Sequence, residues 1–180
     1  MSSQIRMQAD EYFHAYRVLK ESHDAMVGNL EKLDEKPASS NAAFGGFPTM
    51  GPSVVCLAFS VELYMKDLHA VLTGEPRRGH NILELYKKLP KQIRREIFAH
   101  KSISQNPWAT RGPVLLRKRF SGNCGAYYGF LLQVKAISDG FEKWRYSYER
   151  RTLQYEEWFA LSFVKALKTA ADNRRSRSAA

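Results

Sequence analysis

A few charged and ionisable residues stand out because of the apolar company they keep. Glu62, Lys66 and His69 lie four and three positions apart inside Ser53–Thr73, a stretch otherwise dominated by Val54, Val55, Leu57, Phe59, Val61, Met65, Leu68 and Val71. On a helix that spacing draws one polar stripe along a rod whose other faces are suited to burial. Glu62 and Lys66 are an i, i+4 ion pair in waiting, and Arg145 with Glu149 is a second. If their two helices pack together, the four charges form one partly buried network, and deleting one member strands a charge at a cost of roughly 3–5 kcal/mol. His80, after Gly79 and before Asn81, can titrate near neutrality if it faces Glu62 or Glu149. Its plainer role is to cap the helix that begins there or to bond a loop carbonyl. Charged pairs of this kind also fix helix register without touching any ligand, and that structural role takes precedence over a ligand site.

The elements that must position these residues are all helical. Tyr12, Tyr16, Leu19, His23, Met26, Leu30 and Leu33 alternate spacings of four and three, the seam of a helix lying along another helix. The prolines and glycines of 37–52 predict a long loop, and Ser53–Thr73 a central buried helix ended by Gly74 and Pro76. Two shorter helices are expected at 81–89 and 91–100, then a loop over 102–113 and a short helix at 114–122 broken by Ser121, Gly122, Asn123 and Gly125. Tyr127, Leu131, Val134, Ile137, Phe141, Trp144 and Tyr148 predict a second long helix over 126–148, and a last helix is expected over 153–171. No alternating strand pattern, internal repeat or glycine-rich phosphate loop is present.

The block Phe59-Ser-Val-Glu62-Leu-Tyr-Met-Lys66, followed after a turn by Gly79-His80-Asn81-Ile82-Leu83-Glu84-Leu85, resembles the HEPN superfamily. Helical-bundle members of that family carry Glu-x-x-x-Lys on an apolar helix, then a turn and a His-Asp/Asn-Leu/Ile start to the next helix. Phe141-Glu-Lys-Trp144-Arg145-Tyr-Ser-Tyr-Glu149 is similar to a second stretch of such proteins, and the two blocks together span about residues 53 to 150. The resemblance implies an all-α, up-and-down helical bundle over residues 1–171, and the composition of 172–180, with no apolar surface to bury, predicts a basic disordered tail. It implies a module that binds RNA, a nucleotide or a protein partner, in a defence or toxin–antitoxin setting, and that forms a homodimer. The aromatic run Tyr127, Tyr128, Phe130, Tyr146 and Tyr148 agrees with a dimer, because one neighbouring helix should not cover so much apolar circumference.

Family members with ribonuclease activity share Arg-x(4 to 6)-His on a helix, assembled across a dimer. There the histidine moves a proton and the guanidinium holds the phosphate, so no metal is required. In this chain the block from Arg145 reads Arg-Tyr-Ser-Tyr-Glu-Arg-Arg and contains no histidine. The resemblance therefore implies a non-catalytic module. The spacing recurs at Arg95…His100, on a short middle helix where the family does not place the motif, and at Arg17…His23, which straddles the apolar seam. Arg145, His80, Arg95 and His100 are the candidates if the chain is instead a metal-independent endoribonuclease acting as a homodimer. A third function is a structural interaction subunit whose basic surface meets an acidic protein.

Composition sets the frame. The chain has 180 residues, 44% of them hydrophobic, and a formal net charge of +10, which describes one folded domain with a basic surface. Three arginines and one aspartate lie in 172–180, so the rest carries +8. Such a charge steers anionic partners in a salt-dependent way, and serves solubility equally well. Cys56 and Cys124 are too few for a disulfide framework and lack zinc-site spacing, so free thiols, no metal and no cofactor are expected. With no long apolar run and a polar start to the chain, a cytoplasmic protein without a membrane partner is expected.

Overall fold

A computed structural model of the chain describes residues 2–32, 50–105, 123–145 and 157–178. The described residues form seven helices and no strand: α1 (Ser2–Lys32), α2 (Met50–Thr73), α3 (Ile82–Lys87), α4 (Lys91–Ala99), α5 (Lys101–Ser104), α6 (Asn123–Arg145) and α7 (Glu157–Ser178). The all-α expectation holds.

The middle of the bundle is α2, which touches α1, α3, α6 and α7. Leu57, Ala58, Val61, Tyr64, Met65 and Leu68 are all but inaccessible to solvent, as expected of a helix that is apolar on nearly every side. Along it lies α1, through Ala9, Phe13 and Tyr16. It starts at Ser2 and not near Tyr12 because the seam continues one heptad further back: Ala9 is seven residues before Tyr16 and fully buried. An alanine is a weak hydrophobic signal in a sequence but allows the closest helix approach. Between Ala9 and Tyr16, Tyr12 stays exposed, although its ring lies 4.9 Å from that of Phe59.

Four other boundaries differ from expectation. Met50, Gly51 and Pro52 belong to the first turn of α2 and not to the preceding loop, because a proline there removes only an N–H that has no helical partner. Residues 37–49 lie outside the described residues. Asn123 and Gly125 are inside α6 and do not break it; residues 106–122 and 146–156 also lie outside. Lys101–Ser104 form a short helix within the expected loop. The largest correction is at the end of the chain: α7 runs to Ser178, so residues 172–178 are helical and not a disordered tail.

The far side of the core is aromatic. Phe130 on α6 sits edge-on to Phe98 at 5.4 Å, to Phe159 at 5.5 Å and to Phe163 at 5.8 Å, an arrangement that adds ring electrostatics to area burial. Phe130 is fully buried and Tyr127 packs against Phe98. Two members of the aromatic run are therefore spent inside the chain, and Tyr128 is 41% exposed. Tyr146 and Tyr148 lie outside the described residues.

Candidate functional site

The polar stripe of α2 is divided among several tasks. Glu62 is buried, and its Oε1 receives the Lys66 ammonium at 2.7 Å and the His80 ring Nδ1 at 3.0 Å. A carboxylate only accepts, so the His80 Nδ1–H donates, from a side chain that is 70% exposed. His69, one turn beyond Lys66, does not join them. It is buried, and its Nε2–H donates to the Leu85 carbonyl at 3.0 Å, tying α2 to α3. Burial lowers its pKa first, and the positive charges of Arg77 and Lys88 lower it further, against the Leu85 hydrogen bond.

The turn over residues 74–81 places His80. Gly74 (φ 84°) and Gly79 (φ 106°) both occupy the left-handed region, which side chains with a Cβ enter only with strain. Gly74 closes α2 by donating to the Ala70 carbonyl at 2.9 Å. The cap of α3 is Asn81, whose Oδ1 accepts from the Glu84 N–H at 3.0 Å. His80 is therefore neither the cap nor bound to a loop carbonyl, the plainer roles expected of it; it is held by Glu62. The first N–H of α3, that of Ile82, donates to Ser138 Oγ on α6 at 3.0 Å. That bond fixes α6 against the start of α3. Arg145 ends α6 seven residues after Ser138, roughly 10 Å along the axis, and Glu149 lies outside the described residues.

Of the remaining candidates, His100 is committed elsewhere. It is the N-cap of α5, its Nδ1 accepting from the Ser102 N–H at 3.2 Å. The same Nδ1 lies 2.8 Å from Ser102 Oγ, whose own proton goes to the Ser162 carbonyl at 2.9 Å, so the ring is held against the start of α5. Burial, followed by the charges of Lys101 and Lys165, lowers its pKa. Arg95 is exposed on α4. Arg17 pairs with Glu21 at 3.6 Å on the surface, and His23 is half-buried on α1.

The same turn borders an open cleft of about 450 Å³ lined by Thr73, Glu75, Pro76, Arg77, Arg78 and Lys88. Thr73 Oγ1 lies 2.9 Å from the His69 carbonyl and 3.0 Å from the Glu75 carbonyl, so its hydroxyl proton pins the turn to the end of α2. Lys88 enters from the C-cap of α3, its own N–H bound back to the Glu84 and Tyr86 carbonyls. Among the described residues, Arg77, Arg78 and Lys88 form no ion pair. Arg77-Arg78 was a visible signal, but Lys88 is ten residues away and joins it only through the fold of the turn.

A second site missed in sequence lies on α2. Asp67 is completely buried and receives Arg6 at 3.2 Å and Arg175 from the end of α7. Arg6 and Arg175 also hold Asp172, at 3.2 and 3.1 Å. Arg6 lies 3.4 Å from Asp10, which in turn takes Lys168 at 2.8 Å and the Tyr64 hydroxyl at 2.6 Å. The Arg6 guanidinium and the Lys168 ammonium sit over the Tyr64 ring, 5.2 and 5.1 Å from its centroid. For Asp10, burial acts to raise the pKa, but the Lys168 and Tyr64 hydrogen bonds with the Lys168 and Arg6 charges outweigh it and lower it. Burial and the Asp10 contact push the Tyr64 phenol well above its ordinary value. Arg174 adds a paired contact to Glu96 on α4 at 2.6 Å. These contacts are why residues 172–178 continue the helix: a buried carboxylate supplies the anchor that apolar residues would otherwise provide.

No family model, curated protein or solved structure matches the chain. Among the described residues no group of three His, Cys, Asp or Glu side chains is arranged to hold a metal ion, and no helix is long and apolar enough to cross a membrane. Cys56 is a free thiol whose pKa burial raises.

Proposed function

We propose that the protein is a helical module of the HEPN type that binds RNA without cleaving it, and that the turn between α2 and α3 is its contact surface. One observation carries this reading: Arg77, Arg78 and Lys88 converge on an open cleft with no ion pair among the described residues, whereas Arg6, Lys66, Lys168, Arg174 and Arg175 are all paired with carboxylates. Unpaired cations on a rigid backbone attract polyanions and release counterions when they do so. A homodimer belongs to the same proposal, with exposed Tyr128 and the end of α6 as its seat.

Absence of catalysis follows from proton bookkeeping. The arginine at the end of α6 has no histidine after it in the chain, and His100 is held against the start of α5 by its contacts with Ser102. The ribonuclease alternative has one observation in its favour. His80 is exposed and its ring is oriented by Glu62 through Nδ1, the relation a carboxylate imposes on a general base.

Fluorescence anisotropy with a labelled single-stranded RNA, titrated at several salt concentrations in the presence of a chelator, tests both. Wild type should bind with a steep salt dependence, and Arg77→Ala combined with Arg78→Ala should weaken binding and reduce the log–log salt slope by about 1.4. No salt-sensitive binding would sink the RNA reading. Cleavage that disappears in His80→Ala would replace it with the ribonuclease.

A further inference from the structure

We infer that the cleft beside the α2–α3 turn selects a phosphate monoester, as found at the end of an RNA chain or on a free nucleotide, over the internal phosphodiesters of RNA. The inference rests on the RNA-binding reading above and names the part of the ligand that the cleft takes.

Charge balance makes the choice. Three cations and the Glu75 carboxylate give the cleft a net charge of +2. A monoester carries a charge of about −1.5 to −2 at neutral pH and offers three strong acceptor oxygens, so it can meet each of Arg77, Arg78 and Lys88 with an oxygen and leave almost no surplus. An internal phosphodiester carries a single charge and two free oxygens, and one cation stays unsatisfied.

Geometry favours the same ligand. Arg77 and Arg78 are consecutive on a non-helical turn, while Lys88 comes from the end of α3, so two separate segments of chain bring their cations to one cleft. A strand passing through would ask for cations spaced along a groove. The volume of about 450 Å³ is in the range of single small ligands, roughly 300–1,000 Å³. Glu75 would repel a second phosphate but can accept from a sugar hydroxyl next to the first, which suits a terminal nucleotide. The turn is also preformed: Gly74, Gly79 and the Thr73 hydroxyl set its path, so little ordering is required on binding.

Three labelled RNAs of one sequence, carrying a 5′-phosphate, a 3′-phosphate or hydroxyls at both ends, are titrated against the full chain, with adenosine monophosphate and adenosine as competitors. One of the phosphorylated RNAs should bind about tenfold more tightly than the doubly hydroxylated RNA, the gain expected from one added charge-assisted hydrogen bond. The monophosphate should compete and adenosine should not. Arg77→Ala with Arg78→Ala should remove the difference between the RNAs while circular dichroism and melting stay unchanged, since both side chains are exposed. Equal binding of all three RNAs overturns the monoester inference and leaves the RNA reading standing. Binding of adenosine monophosphate without binding of any RNA sustains the monoester site and overturns the RNA reading. A preference that survives in the double variant places the selective site elsewhere and overturns the assignment to this cleft.

Discussion

Two arginine pairs, one on Asp67 of α2 and one in the turn after it, have opposite fates. Arg6 and Arg175 converge on Asp67, a carboxylate with no exposure at all, and through it fasten the first helix to the last. Arg77 and Arg78 converge with Lys88 on a cleft whose one carboxylate, Glu75, cannot balance them. The residue type is the same in both places, so the difference comes from whether a buried anion lies within reach. A formal charge of +10 is therefore a poor guide to where an anionic partner would land. The net figure does not say which cations are matched with carboxylates inside the fold, and the part available for binding is whatever the packing left without a counter-ion.

The sharpest way to break that contrast is to remove the buried anion. Asp67→Asn leaves two guanidiniums without their counter-charge and should destabilise the protein by about 3 kcal/mol, read as a lower urea midpoint. Stability within about 0.5 kcal/mol of wild type would show that the clamp is incidental and that the last turns of α7 are held by Ala170 and Ala171 alone.

A smaller effect is expected from pH. His69 and His100 both have lowered pKa values in the folded chain. An unfolded histidine takes up its proton near pH 6.5, so as the pH falls below that value the unfolded chain binds protons that the folded chain refuses. Stability is thus full above about pH 6.5 and declines toward the folded pKa values. The urea midpoint at pH 5.5 should lie below that at pH 7.5, and His69→Gln should lessen the difference. Asp10 does not confuse the comparison, because its lowered pKa acts only under more acidic conditions.

The smallest effect sharpens the contrast from its other side. Arg77→Ala and Arg78→Ala, and likewise Lys87→Ala, which breaks only the exposed pair with Glu84, should each change stability by less than about 0.5 kcal/mol in urea denaturation. A loss comparable to that of Asp67→Asn would mean that the turn arginines hold the fold together and are not free for a ligand.

Much of the helical plan can be read from residue order alone, and so can part of the site. The pairing of Glu62 with Lys66 needs only four residues of helix, and the wholly apolar surround of α2 announces a central position. His80 was visible as an unusual residue, but its partner was not, because Glu62 is eighteen residues earlier and reaches it only after the chain reverses at Gly74 and Gly79. Asp67 was hidden in plain view: it sits one position off the polar stripe of α2, and its partners are sixty-one residues before and one hundred and eight after.

What the sequence by itself determined is local: which segments are helical, which face of each is apolar, and which charges stand one turn apart. Those follow from a 3.6-residue period acting over a few residues. Tertiary structure alone decided which charges are cancelled and which remain. Cancellation depends on distance in space, and Coulomb energy in a low-dielectric interior rewards a guanidinium for reaching a carboxylate however far apart the two lie in the chain. That is why the polar end of α7 is helix and not tail, and why Arg77, Arg78 and Lys88, no more basic than the arginines at Asp67, face solvent.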